Sequence, residues 1–116
     1  PKNSHANLTI TNKSNIRIRS IIYWNYPDTL IEKVNPKYDG TEGLLKNKSF
    51  TMHAPLLSCW ESVFTNGREE WIYFFNADTI ETLNWDTVRQ THRGLLERRQ
   101  IDLDYLQKND FTIMFQ

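Results

Sequence analysis

The chain has 116 residues, enough for one domain with a sizeable core, and 39% of them are apolar and 13% aromatic. Fourteen Lys and Arg balance fourteen Asp and Glu, so the formal net charge is zero; this excludes both a globally basic nucleic-acid footprint and an acidic solvating tail. One cysteine, Cys59, rules out an internal disulfide and a cysteine-based metal cluster, and no apolar run reaches the roughly eighteen residues of a helical membrane span.

In chain order, residues 1–6 are polar and predict a flexible tail, with 7–116 forming a single globular domain. The chain starts at Pro1 rather than Met, which suggests a trimmed or mature fragment, one from which an export signal could have been removed. Leu8 and Ile10 alternate with Thr9 and Thr11, the period of a half-buried strand, and Asn12-Lys-Ser-Asn15 supplies turn chemistry. Beyond it Ile16, Ile18, Ile22 and Trp24 share one face, with Arg17, Arg19, Ile21 and Tyr23 on the other. The two strands read as a hairpin.

Residues 26–48 are the least regular part, punctuated by Asn35-Pro36, Asp39-Gly40 and Gly43, with one short strand expected at Leu30 to Val34. Loops of this length are uncommon in compact domains and are often functional. A third strand follows at Ser49 to His53 and stops before Pro55. Ser58 and Glu61 have the spacing of a capping box, which predicts a short helix from Cys59 to Phe64.

Glu70 to Asn76 is apolar on both faces, which predicts a central strand covered on both sides. Asp78, Asn84 and Asp102 are positioned to cap the helices that follow, the second running from Trp85 to His92. Leu95 to Leu103 reads as extended, and Phe111, Ile113 and Phe115 alternate in a last strand. The expected fold is α+β and mainly antiparallel: one sheet or sandwich of about six strands with short inserted helices. Ile18, Ile22, Trp71, Phe75, Trp85, Phe111 and Ile113 should be heavily buried.

Candidate chemistry is sparse. His5, His53 and His92 form no metal-ligand spacing, and Cys59 carries no catalytic signature, so neither a metal nor a cofactor is expected. The carboxylate neighbours Glu69 and Glu70, or Asp102 and Asp104, lack the opposed environments that acid–base pairs need. Arg89, His92, Arg93, Arg98 and Arg99 form a local basic cluster without interleaved aromatics, better suited to a solvated face than to nucleic acid. Three glycosylation sequons, at Asn7, Asn12 and Asn47, are only slightly above chance for this composition. The aromatics remain. Trp24, Tyr26 and Tyr38 flank or occupy the 26–43 loop, where rings have less reason to be core, and they are the candidate ligand-binding residues. That loop is also expected to be the most mobile part of the chain.

Several segments together resemble a known family. Tyr26-Pro-Asp-Thr29 follows Thr11-Asn-Lys-Ser-Asn-Ile16, Phe75-Asn-Ala-Asp-Thr-Ile-Glu81 leads to Trp85-Asp-Thr-Val88, and the chain closes on Ile101-Asp-Leu-Asp-Tyr-Leu-Gln107 and Phe111-Thr-Ile-Met-Phe115. This is similar to the small uncharacterised envelope lipoproteins of Bacteroidetes. The resemblance implies export, location in the periplasm or at the outer-membrane surface, and attachment only through a lipidated cysteine upstream of Pro1. It brings no catalytic or binding residues. The function expected is a non-enzymatic envelope module that binds a protein or glycan through the 26–43 loop. The alternatives are a small hydrolase whose site is assembled only in three dimensions, or a purely structural accessory domain.

Overall fold

The computed structural model describes residues 4–24, 43–55 and 58–116. Along them run β1 (Asn7–Asn12), β2 (Ile18–Tyr23), β3 (Ser49–His53), α1 (Trp60–Val63), β4 (Glu70–Asn76), α2 (Ala77–Thr82), α3 (Trp85–Thr91), β5 (Leu95–Ile101), α4 (Leu103–Lys108) and β6 (Thr112–Phe115). These strands form two three-stranded sheets, ordered β3-β1-β6 and β2-β4-β5. Every pairing is antiparallel except that of β1 with β6. The class is therefore α+β and mainly antiparallel, as the alternation of side chains predicts. The expected strand at Leu30 to Val34 lies outside the described residues.

The expected β1–β2 hairpin does not form, because the two strands belong to different sheets. Asn12 is the physical reason. Its fully buried amide donates from Nδ2 to the carbonyls of Ile16 at 2.6 Å and Leu44 at 2.7 Å. Its Oδ1 accepts from the Ser14 amide at 2.9 Å and the Ser14 hydroxyl at 2.7 Å. This turn closes the polar stretch on itself and sends the chain across to the second sheet. Leu44, not β1, then lies beside Ile18, exchanging two backbone hydrogen bonds with it at 3.0 and 2.7 Å.

Strand β4 runs down the middle of the second sheet, and its alternation feeds two cores. Ile72 and Phe74 meet Leu8 and Ile10 of β1, Ile113 and Phe115 of β6, and Trp60, Phe64 and Leu106 from the short helices. Tyr73 and Phe75 face the other way, against Ile21 and Tyr23 of β2, Ile80 of α2 and Val88 of α3. The layers are thus sheet, sheet, helices. All four of these β4 side chains are fully buried, and each is worth about 1.5–3 kcal/mol for leaving water.

Trp71 and Trp85 depart from the expected core, since both are only half-buried. Trp71 sits near the start of β4, with the Arg98 guanidinium 4.8 Å from its ring centroid. Trp85 opens α3 and meets Phe75 edge-on at 6.2 Å, on the rim of the second core. Ile16 and Trp24 are exposed, because β2 spans only Ile18–Tyr23 and its core-facing period stops there.

Two caps are as read: Asn84 accepts from the Asp86 amide at 2.7 Å, and Asp102 from the Tyr105 amide at 2.8 Å. Asp78 is not a cap. Asn76 precedes α2 and accepts from the Thr79 amide at 3.1 Å, while Asp78, the second residue of α2, pairs with Arg17 at 2.8 Å. Nor does the Ser58–Glu61 box close. Cys59 is the N-cap without a side-chain bond, the Ser58 hydroxyl donates to the Pro55 carbonyl, and Glu61 turns to His5. Phe111 lies outside the last strand, in the left-handed region (φ 53°), with its amide donating to the Leu106 carbonyl at 2.7 Å. Its ring stays buried all the same. Between α3 and β5, Gly94 is required: its φ is +88°, and a Cβ there would lie 2.8 Å from Ile80 Cγ2.

Candidate functional site

The end of β2 and the turn before β4 meet at one corner of the molecule. Trp24 follows the last residue of β2 and remains 41% exposed. Its indole leans on Phe64, the C-cap of α1, with ring centroids 5.9 Å apart and planes tilted by 43°. Asn66 and Gly67 both take left-handed φ values, 58° and 73°, so the chain reverses tightly between α1 and β4. That reversal carries Arg68 back over Trp24, its guanidinium carbon 5.3 Å from the ring centroid.

Arg68 is held from beneath. Its Nη2 lies 3.2 Å from Oε2 of Glu70, whose residue is only 2% exposed at the start of β4. A buried carboxylate is costly unless it is paired; the contact is an ion pair by distance and not an aligned hydrogen bond. Trp24, Pro55, Val63 and Arg68 together line a depression of about 280 Å³. Chemically the corner offers aromatic and aliphatic surface with one planar set of N–H donors whose charge is met by Glu70. Among the described residues it offers no nucleophile and no paired acid and base.

Of the expected binding residues, Trp24 is placed at this corner, while Tyr26 and Tyr38 lie outside the described residues. So does the 26–43 loop, except for Gly43. Sequence reasoning missed Arg68, Glu70, Pro55 and Val63. The Asn66-Gly67 pair was the available signal, because a tight reversal there must bring Arg68 back toward the strand end.

The other candidates separate into structural roles. His5 stacks on Phe111 at 3.9 Å, and both its amide and its Nδ1 engage the Glu61 carboxylate, at 2.8 and 2.6 Å. His53 lies on the edge strand β3, and His92 is the left-handed C-cap of α3. Among the described residues, no group of three or more His, Cys, Asp or Glu is arranged to hold a metal. Cys59 is buried, with its thiol 3.7 Å from the Ser62 hydroxyl. The basic cluster is not one solvated face. Arg89 pairs with Asp86, whereas Arg99 reaches Glu97, the Tyr105 hydroxyl at 2.9 Å and the Met114 carbonyl at 2.8 Å, over the Phe74 ring. Arg99 thereby staples β5 to β6. Of the three sequons, Asn12 is unsuitable, since its amide nitrogen is buried and fully engaged.

Burial pushes the Glu61 carboxyl up, but the His5 bonds outweigh it and hold the group below the usual glutamate value. A carboxyl depressed by folding stabilises the native state above its unfolded pKa, and that contribution is lost as pH falls through the folded value. Thermal melts on acidification should therefore show a loss of stability that begins in the ordinary glutamate range and is complete only below the depressed folded value. In Glu61→Gln this loss should be shallower, and an unchanged acid profile would show that the His5–Glu61 contact contributes nothing.

Comparison of the chain with family models, curated proteins and solved structures finds no match.

Proposed function

We propose that this chain is a non-enzymatic, lipoprotein-like module of the bacterial cell envelope that binds a protein or glycan at the Trp24–Arg68 corner. The observation that supports this reading is a tryptophan left 41% exposed, with an arginine pinned over it by a buried carboxylate. An exposed ring is unremarkable alone. A ring with a fixed donor group beside a depression is the arrangement that recognition sites use, because little is left to order on binding. The envelope assignment rests on the family resemblance.

Binding screens against glycan arrays and displayed envelope proteins test the site. Trp24→Ala should weaken binding of any genuine partner at least about tenfold, as expected for an aromatic anchor. The double variant Tyr26→Ala/Tyr38→Ala measures how far the neighbouring loop takes part. A partner indifferent to Trp24→Ala would move the site elsewhere. One observation favours a hydrolase instead: the Glu61 carboxylate orients the His5 imidazole as it would a general base. Turnover of an ester or glycoside that His5→Ala abolishes would carry that reading. A structural accessory domain would show neither binding nor turnover.

A further inference from the structure

Resting on that binding reading, we infer that the Trp24–Arg68 corner takes an uncharged sugar ring, a segment of neutral glycan rather than an acidic one. Charge decides between the two. An arginine meant for a uronate or sulfate is left with an uncompensated charge, so that the ligand supplies the counter-ion. Here the counter-ion is already built in, because Glu70 lies 3.2 Å from Arg68 Nη2 and is almost wholly buried. An anionic ligand would have to compete with a carboxylate anchored in the first residue of β4. A sugar hydroxyl has no such conflict: it accepts from the remaining guanidinium N–H groups without displacing Glu70.

Shape and composition agree with this. The guanidinium lies over the indole, 5.3 Å from its centroid, and 41% of Trp24 stays uncovered. A pyranose presents one face of C–H groups to such a ring and its hydroxyls to the donors alongside. Pro55 and Val63 supply the aliphatic wall. The depression, about 280 Å³, lies just below the usual range of small-ligand pockets, a size for one ring.

The test titrates the intact protein with neutral hexaoses (α- and β-linked glucose, mannose and xylose) and with a hexagalacturonate, followed by NMR chemical shifts. At least one neutral hexaose should bind saturably, with an affinity unchanged between low and high salt and at least tenfold weaker in Trp24→Ala. Arg68→Ala alone strands the Glu70 carboxylate, so the donor is removed in Arg68→Met/Glu70→Gln, checked for an unaltered melting temperature. That variant should also lose at least tenfold. Tight, salt-sensitive binding of the hexagalacturonate that still needs Trp24 would overturn the charge argument and leave the binding site standing. Hexaose binding untouched by Trp24→Ala would overturn the site itself. Failure of every neutral hexaose to bind would overturn the inference, and a displayed protein that binds through Trp24 would then keep the recognition reading alone.

Discussion

Phe75→Ala should destabilise the domain by about 3–5 kcal/mol, the range for removing a buried ring and leaving a cavity. Phe75 is fully buried in the central strand, and its ring meets Tyr73 at 6.2 Å and Trp85 at 6.2 Å. It is also the side chain on which α2 and α3 close the second core with Ile80 and Val88. The cavity therefore opens between layers, where β4 cannot shift to fill it without losing its pairing on either side. Urea unfolding followed by circular dichroism measures the effect. A midpoint equal to that of the wild-type protein would show that Phe75 does not carry the helix layer.

Asn12→Asp should be comparably severe at neutral pH, about 3–5 kcal/mol, although it changes only an NH₂ for an oxygen. Both Nδ2 bonds point to carbonyl oxygens, those of Ile16 and Leu44, and the site is fully buried. An ionised carboxylate there faces two carbonyl acceptors, and the described residues give it no ion pair, the costly case of a buried charge. The introduced carboxyl is neutral when protonated and can then donate one bond. Its folded pKa is raised above the unfolded value, so stability is fullest below the unfolded pKa and is lost as pH rises through the folded one. Asn12→Ala removes the same bonds without adding charge and should cost about 2–3 kcal/mol with no such pH dependence. Melts of both variants at acidic and neutral pH decide the matter. Equal melting temperatures for the two at neutral pH would mean that the turn relaxes and admits water.

The strands were legible because their signal is local. Ser49–His53 and the double-faced run of β4 needed only the period of side chains to be found. Asn84 and Asp102 were legible for the same reason, since a cap is decided within three residues. Pairing was not. A short polar turn after β1 suggests a hairpin, and only the distant Leu44 carbonyl, which takes half of the Asn12 amide, sends the chain to another sheet. Glu61 failed as a capping partner on the same grounds: His5 offers it two bonds from 56 residues away. At the candidate site, Trp24 stood out as a ring flanking the 26–43 loop. Arg68 and Glu70 belong to another stretch of chain, and no local pattern joins them to it.

Strand β1 is the middle of its sheet, yet both its partners come from far along the chain: β3 some forty residues on, and β6 at the far end. The first strand made is therefore the last to be completed. Closing such long loops carries an entropic cost before any contact rewards it, which slows folding. During synthesis the Leu8 and Ile10 face must wait for Ile113 and Phe115, with the β6 edge of β1 meanwhile open to pairing with other chains. A domain wired this way has reason to depend on a holding chaperone while it is being made, and to be far more sensitive to damage in its last four-residue strand than the length of that strand suggests.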